Sequence, residues 1–250
     1  MTYTVGIDIG QMADPTAVSV ADLRTRNVRV LRLERLPLRQ PYPEQVRRLV
    51  TLIRNLRAYA IREARITADR SRLINIYVDV TGVGRSPHDM LIEANTAANV
   101  RVYAVTLTAG QEATRDGYEL HIPKLDLVDR LRRLMEEGRL EVPAGSAEAR
   151  AVQTELRMFA GVKTSAASVS TGAREGAHDD LVIALALSAW EAAAPGHHRS
   201  FQGVRRGAFG NGPWREGGDP EPVVPVRKAY GGTVMSDDSF IPDAPVVVDG

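Results

Sequence analysis

The chain has 250 residues, of which 44% are apolar and 25% charged, and its formal net charge is +1. This composition is typical of a globular protein with a sizeable core, and the small net charge gives no sign of a polyanionic partner. No apolar run reaches about 18 residues, and there are no cysteines. We therefore expect no membrane span, no disulfide and no thiolate chemistry.

The first part of the chain predicts three strands followed by a long helix. Residues 2–9, 16–22 and 27–36 are rich in strand-forming residues and are joined by short loops, so the simplest pairing is an antiparallel meander. Residues 43–69 carry apolar residues at helical spacing, with arginines on the other face. We interpret that arginine face as solvated rather than DNA-binding.

The middle of the chain predicts a parallel crossover. The run LINIYVDV, residues 73–80, is almost continuously apolar and suits a buried central strand. A helix follows, with Ser86 as N-cap and Pro87 as its first residue, and then a strand over 100–107. Such a crossover places loops at the carboxyl ends of strands, where functional sites usually form.

The remaining residues predict more helices and an unstructured tail. Residues 108–121 have no periodicity and read as a loop or hairpin. After them we predict a helix over 124–137, a strand over 139–143, a helix over 146–159, a loop or hairpin over 160–176 and an apolar helix over 178–193. The Gly- and Pro-rich composition beyond this helix predicts a folded domain over 1–195 and a largely disordered tail over 196–250.

Four aspartates interrupt or open these apolar elements. Asp8 lies in the first strand, Asp79 ends the buried strand, and Asp179 and Asp180 open the last helix. Each has a simpler explanation: Asp8 as a turn cap, Asp79 as an acceptor for the amides of TGVG, and the last two as acids favoured by the helix dipole. If all of these explanations were correct, acids would have been placed independently, and by coincidence, on several central elements of one sheet.

Converging carboxylates repel one another, so they are stable at neutral pH only with cations or raised pKa values. Oxygen ligands favour Mg²⁺ or Mn²⁺, and two such ions about 4 Å apart promote in-line phosphoryl displacement. Because neighbouring helical residues point about 100° apart, we choose Asp179 as the ligand and leave Asp180 as a second ligand or a supporting residue. His178 is either a proton shuttle or phosphate contact, or a capping or surface residue.

The chain resembles the nuclease domain of phage large terminases, within the ribonuclease H-like superfamily. The resemblance is carried by GIDIGQMADPTAV, YVDVTGVG, IPKLDLVDRLRRLMEEGRLEVP, ELRMF and GAHDDLVIALALSAW, which spread over residues 5–190. It implies an α/β fold with a central mixed sheet of five or more strands, flanked by helices and carrying β-hairpin insertions. It also implies Mg²⁺- or Mn²⁺-dependent cutting of double-stranded DNA with little sequence preference, by a two-metal-ion mechanism.

The same resemblance assigns residues and partners. Metal ligands would be Asp8, Asp79 and Asp179, with Asp180 close by, and DNA contacts would come from Arg115, Lys124, Lys163, Arg174 and His178. Large terminases usually carry an ATPase domain before the nuclease, but no G-x-x-x-x-G-K-[ST] loop occurs in this chain. A separate packaging ATPase, a small terminase and a portal are therefore expected partners, in the cytoplasm of a bacterial host. Two alternatives remain: the chain is an isolated domain, or it is a nuclease with a role outside packaging.

Three other interpretations compete with this one. An actin-like or sugar-kinase-like ATPase would explain GIDIG and DVTGVG as phosphate loops, but it leaves HDD at the last helix unexplained. A Holliday-junction resolvase would share the fold and the metal chemistry and cut four-way DNA. A binding module that has lost catalysis is disfavoured by the intact set of carboxylates.

Overall fold

The computed structural model describes residues 3–11, 14–23, 25–64, 74–94, 100–143, 147–162, 179–193 and 245–247. In chain order its elements are β1 (Tyr3–Asp8), β2 (Ala17–Asp22), β3 (Val28–Arg35), α1 (Tyr42–Ala64), β4 (Ile74–Asp79), α2 (Arg85–Ala94), β5 (Val100–Thr108), β6 (Thr114–Asp116), β7 (Glu119–Pro123), α3 (Lys124–Glu136), β8 (Leu140–Pro143), α4 (Ala147–Val162), α5 (Asp180–Ala189) and β9 (Pro245–Val247). None of these helices combines the length and apolarity needed to cross a membrane.

One mixed sheet joins all of these strands, in the order β6-β7-β5-β4-β1-β2-β3-β8-β9. The first three strands form the predicted antiparallel meander. The central strand β4 runs parallel to both β1 and β5, so the predicted crossover is also confirmed. As a result β1, β4 and β5 end at the same edge of the sheet.

Helices cover the two faces of the sheet and divide the core. Helix α1 buries an apolar stripe, including Leu49, Ile53 and Leu56, against one face, together with Leu91 of α2. Helices α3, α4 and α5 cover the other face. All ten residues of α5 are buried, which explains why its sequence is apolar on every side.

Several boundaries differ from the predicted ones. Helix α2 begins at Arg85, and the amide of His88 donates to the carbonyl of Gly84, so Ser86 is not the N-cap and Pro87 lies inside the first turn, where proline is tolerated. The stretch 108–121, predicted as a loop or hairpin, forms a hairpin of β6 and β7 that extends two residues further, to Pro123. The predictions for 160–176 and for the tail fall mostly outside the described residues, but residues 245–247 pair with β8.

Candidate active site at the carboxyl edge of the sheet

Asp8 and Asp79 end neighbouring parallel strands and lie side by side. Asp8 is the register partner of Asp79, and their Cα atoms are therefore about 5 Å apart. Both belong to the face of the sheet that α5 covers, because Thr4, which lies on the same face of β1 as Gly6 and Asp8, donates a hydrogen bond to the carbonyl of Ser188. The two carboxylates predicted from separate sequence motifs thus meet at one edge.

Helix α5 approaches β1 so closely that only glycine fits beneath it. A Cβ atom on Gly6 would lie 2.0 Å from the carbonyl oxygen of Ala184 and 2.6 Å from the amide nitrogen of Ser188. Gly6 therefore admits the backbone of a helix at this position. This contact directs the N-terminus of α5 toward Asp8.

Asp179 occupies the N-cap position of α5 but makes no capping hydrogen bond through its side chain. Its Oδ2 atom instead lies 2.6 Å from Nζ of Lys124, the first residue of α3. The negative charge of Asp179 raises the pKa values of Asp8 and Asp79, whereas the charge of Lys124 lowers both. Asp179 and Lys124 therefore belong to the same electrostatic cluster as the two strand aspartates.

Asp180 points to a different group of residues. Its carboxylate accepts two hydrogen bonds from Arg35, at 2.7 and 3.0 Å, and Arg35 also contacts Glu155 at 2.5 Å. Glu155 in turn accepts a hydrogen bond from the amide of Val182 in the first turn of α5. Asp180 thus anchors the helix to β3 and α4, as expected if it is a supporting residue and Asp179 faces the strand carboxylates.

Arg35 and Glu155 were not among the residues predicted from the sequence, although β3 contains a signal for Arg35. The adjacent apolar residues Val30 and Leu31 break the alternation of this strand, and the structure has a register shift at that point. The shift places Leu33 in the same core cluster as Val30. Arg35, two residues beyond Leu33, therefore faces α5 rather than solvent. Glu155 carries no comparable signal, because its neighbours come from other elements.

Burial and neighbouring carboxylates disfavour the charged forms of the strand aspartates. Burial raises the pKa of Asp8 well above its usual value, and the charges of Asp79, Asp179 and Asp180 raise it further. Burial also raises the pKa of Asp79, against a 2.8 Å hydrogen bond from the amide of Thr81 to its Oδ1 atom. Asp79 therefore accepts a hydrogen bond from the TGVG loop, as its simpler explanation predicted, and also belongs to the cluster.

The donor set of this cluster suits a hard divalent cation, because it consists of carboxylate oxygens. Asp8, Asp79 and Asp179 are the residues that would hold it. Within the ranges described above, no three acidic, histidine or cysteine side chains are already arranged as a metal site. Among the described residues, the ammonium group of Lys124 places a positive charge beside these carboxylates.

Two of the predicted DNA-contacting residues are described. Lys124 lies in the cluster, and Arg115 lies on β6, where its Nε atom donates to the carbonyl of Gly117 and its guanidinium group stacks over Tyr103. The register links Arg115 through Leu120 and Val105 to Asp79, so the hairpin lies on the flank of the site. The predicted contacts Lys163, Arg174 and His178 lie outside the described residues.

An antiparallel three-strand meander, a parallel crossover beside it and a carboxylate-bearing helix over the first strand define a ribonuclease H-like fold. A family model described as the terminase RNaseH-like domain matches residues 5–189. The chain belongs to this family. A search of curated proteins found no match.

Solved structures of similar fold include terminase nucleases. The large terminase nuclease from thermophilic phage G20c is 22% identical with a TM-score of 0.43, over 76% of this chain and 82% of that one. A Mn-soaked human cytomegalovirus terminase nuclease domain is 10% identical with a TM-score of 0.44, over 75% and 82%. T. thermophilus RuvC, in complex with a Holliday junction substrate, is 14% identical with a TM-score of 0.31, over 74% and 92%.

Proposed function

We propose that this protein is an endonuclease that requires Mg²⁺ or Mn²⁺ and cuts double-stranded DNA with little sequence preference. Membership of the terminase RNaseH-like family supports a nuclease function. The observation that carries the proposal is the pairing of Asp8 with Asp79 at the ends of neighbouring parallel strands, with Asp179 held in the same electrostatic cluster.

Asp8, Asp79 and Asp179 would hold the metal, each from a rigid element. When bound, two divalent ions would supply Lewis acidity at the scissile phosphate and stabilise the charge that develops during an in-line displacement. The ion pairs of Asp180 and Glu155 with Arg35 keep the first turn of α5 in place and so orient Asp179. Asp180 acts in this proposal as a supporting residue beside the ligands.

DNA would lie along the carboxyl edge of the sheet. Lys124 and Arg115 are the described members of the proposed contact set, and Lys163, Arg174 and His178 complete it. Phosphate contacts of this kind give little sequence information, which agrees with cutting of low specificity. The family context adds a packaging ATPase, a small terminase and a portal as proposed partners in the cytoplasm of a bacterial host.

The proposal is tested by cutting of supercoiled plasmid in Mg²⁺ or Mn²⁺, with Asp8→Asn, Asp79→Asn and Asp179→Asn as variants. We expect each to lose roughly a hundredfold or more of the cutting rate, because each loses a ligand charge without losing volume. Glu93→Gln, on the exposed side of α2, is the matched control and should cut like the wild type.

Undiminished cutting by all three variants would show that the site has been assigned wrongly. Preferential cutting of four-way junctions over linear duplex would identify a resolvase. Metal-dependent ATP hydrolysis without DNA cutting would favour the kinase-like interpretation.

A further inference from the structure

Lys124 is placed among the candidate metal ligands by the join between β7 and α3. It follows Pro123, the last residue of β7, and Pro123 pairs with Thr108 at the end of β5. Its Nζ atom lies 2.6 Å from Oδ2 of Asp179, and both side chains are about a quarter exposed, at 25% and 23%. Parts of both side chains thus reach solvent at the sheet edge, while Oδ2 of Asp179, the atom that faces Nζ, is buried.

The positive charge of Lys124 acts on more than Asp179. It lowers the pKa values of Asp8 and Asp79, which burial and neighbouring carboxylates raise. The ammonium group therefore partly neutralises all three candidate ligands. A divalent cation bound to the same carboxylates would repel this group, and Asp179 cannot direct the same oxygen fully to both.

We propose that Lys124 is a built-in counter-cation: it holds Asp179 before the metal binds, competes with the metal for that carboxylate, and contacts the DNA phosphate once displaced. This inference rests on the proposed function and adds to it an exchange of cations at one residue. Lysine suits the role, because its ammonium is a compact charge on a flexible stem that moves without a change of the backbone. An arginine held by two parallel hydrogen bonds, such as Arg35 on Asp180, is less free to leave.

The proposal predicts opposite effects of one substitution on two measurements. In Lys124→Met the side chain keeps similar length but loses its charge. Mn²⁺ binding to the protein without DNA, measured by titration calorimetry, should become about tenfold tighter because the competing cation is gone. Cutting of plasmid at saturating Mn²⁺ should fall at least about tenfold, because the phosphate loses its contact.

Two further variants separate this role from a structural one. Lys124→Arg keeps the charge and should bind Mn²⁺ about as the wild type does. Arg133→Met removes one positive charge from an exposed position of the same helix, and its Mn²⁺ affinity should stay within about twofold of the wild type. In thermal melts, Lys124→Met should melt below the wild type in EDTA and gain more from Mn²⁺.

The outcomes are distinguishable from those of the proposed function. Equal or weaker Mn²⁺ binding by Lys124→Met overturns the counter-cation role, whether or not the wild type cuts DNA. Tighter binding with undiminished cutting overturns the phosphate contact. If Lys124→Met does not fold, Lys124→Gln replaces it in both measurements, with the same expected directions.

Discussion

Asp179 and Asp180 are neighbours in the sequence, yet their side chains bind to opposite flanks of β1. Asp179 meets Lys124, which follows β7, whereas Asp180 meets Arg35 at the end of β3. The divergence reflects their backbone positions, because Asp179 is the non-helical N-cap of α5 and Asp180 is its first helical residue. One member of the pair is thereby available to a metal ion, and the other holds the helix that carries it.

Arg35 neutralises two acidic side chains that have little access to water. The side chains of Glu155 and Asp180 are only 6% and 9% exposed. Removing Arg35 leaves both carboxylates without their cation, and we expect Arg35→Met to lower the free energy of unfolding by about 2–4 kcal/mol. Urea unfolding measures this change.

Arg32→Met is the control on the same strand, because Arg32 pairs with Glu34 at the surface and its loss should cost less than about 1 kcal/mol. Adding Glu155→Gln and Asp180→Asn to Arg35→Met should recover part of the stability. A loss for Arg35→Met no larger than that for Arg32→Met would contradict the prediction.

Glu155 should make the stability of the protein depend on pH near neutrality. Burial raises the pKa of its carboxyl from 4.5 to about 7, against the hydrogen bond from Val182 and the charge of Arg35. Between these values the folded protein holds a proton that the unfolded chain has lost. The free energy of unfolding should therefore fall as pH rises from about 4.5 to 7.

Glu155→Gln removes this titration and leaves the shape of the side chain almost unchanged. Urea unfolding of both proteins between about pH 5 and pH 8 should show a steeper loss of stability for the wild type. Parallel curves for the two proteins would exclude Glu155 as the titrating group.

At the scale of elements, the site depends on the packing of α5 against the sheet. Helix α5 contacts β1 and β2. The side chains at this contact are small, because Gly6 of β1 faces Ala184 and Ser188 of α5. Ser188 also shares a hydrogen bond with Ser19 of β2 at 2.8 Å. This close approach sets the height of the α5 N-terminus above Asp8.

Gly6→Ala tests that approach. The added methyl group would lie 2.0 Å from a carbonyl oxygen of α5, so the helix must move away from β1. We expect a loss of about 2–3 kcal/mol in the free energy of unfolding and a lower cutting rate, because Asp179 moves with the helix. Thermal melts and plasmid cutting give the two readouts.

Gly110→Ala is the matched control, because its Cβ atom would meet only the hydroxyl of Thr108, at 3.4 Å. It should change stability by less than about 0.5 kcal/mol. A Gly6→Ala protein as stable as Gly110→Ala would mean that α5 does not lie as close to β1 as described.

At the scale of the whole molecule, the order of the strands decides which residues meet. The central neighbours β1 and β4 are separated in the chain by β2, β3 and α1, yet they run parallel and end together. The register row through Asp8 and Asp79 reaches Arg35 on one side and Arg115 on the other. The residues of the proposed site thus lie along one edge of a single sheet.

Removal of residues 196–250 tests the predicted domain boundary. In the described part of the chain this deletion removes β9, whose three residues pair with β8 at the edge of the sheet. We expect the shortened protein to unfold cooperatively, to lose no more than about 1 kcal/mol and to keep cutting DNA. Circular-dichroism melts and plasmid cutting measure both properties.

A longer deletion, of residues 179–250, is the control. It removes α5, whose ten residues are all buried, and this protein should not fold. Loss of folding on deletion of residues 196–250 alone would contradict the predicted boundary.

Local patterns in the sequence determined most of the elements and the candidate carboxylates. Alternating or continuous apolar runs predicted strands β1 to β5, and helical spacing predicted α1 and α3, because these signals come from the faces that each element buries. Asp8, Asp79 and Asp179 were visible because an acid inside or beside an apolar element is costly without a partner. The start of α2 was placed two residues late, since Ser86 and Pro87 are favoured at more than one position of a first turn.

Only the tertiary structure decided which partner each acid has. Lys124, Arg35 and Glu155 come from α3, β3 and α4, and no local pattern states that these elements converge at the N-terminus of α5. The bulge that turns Arg35 inward acts through strand pairing, and the closeness of α5 to β1 acts through packing at Gly6. The sequence determined the acids because their cost is local, while the structure decided their partners because electrostatic pairing depends on distances across the fold.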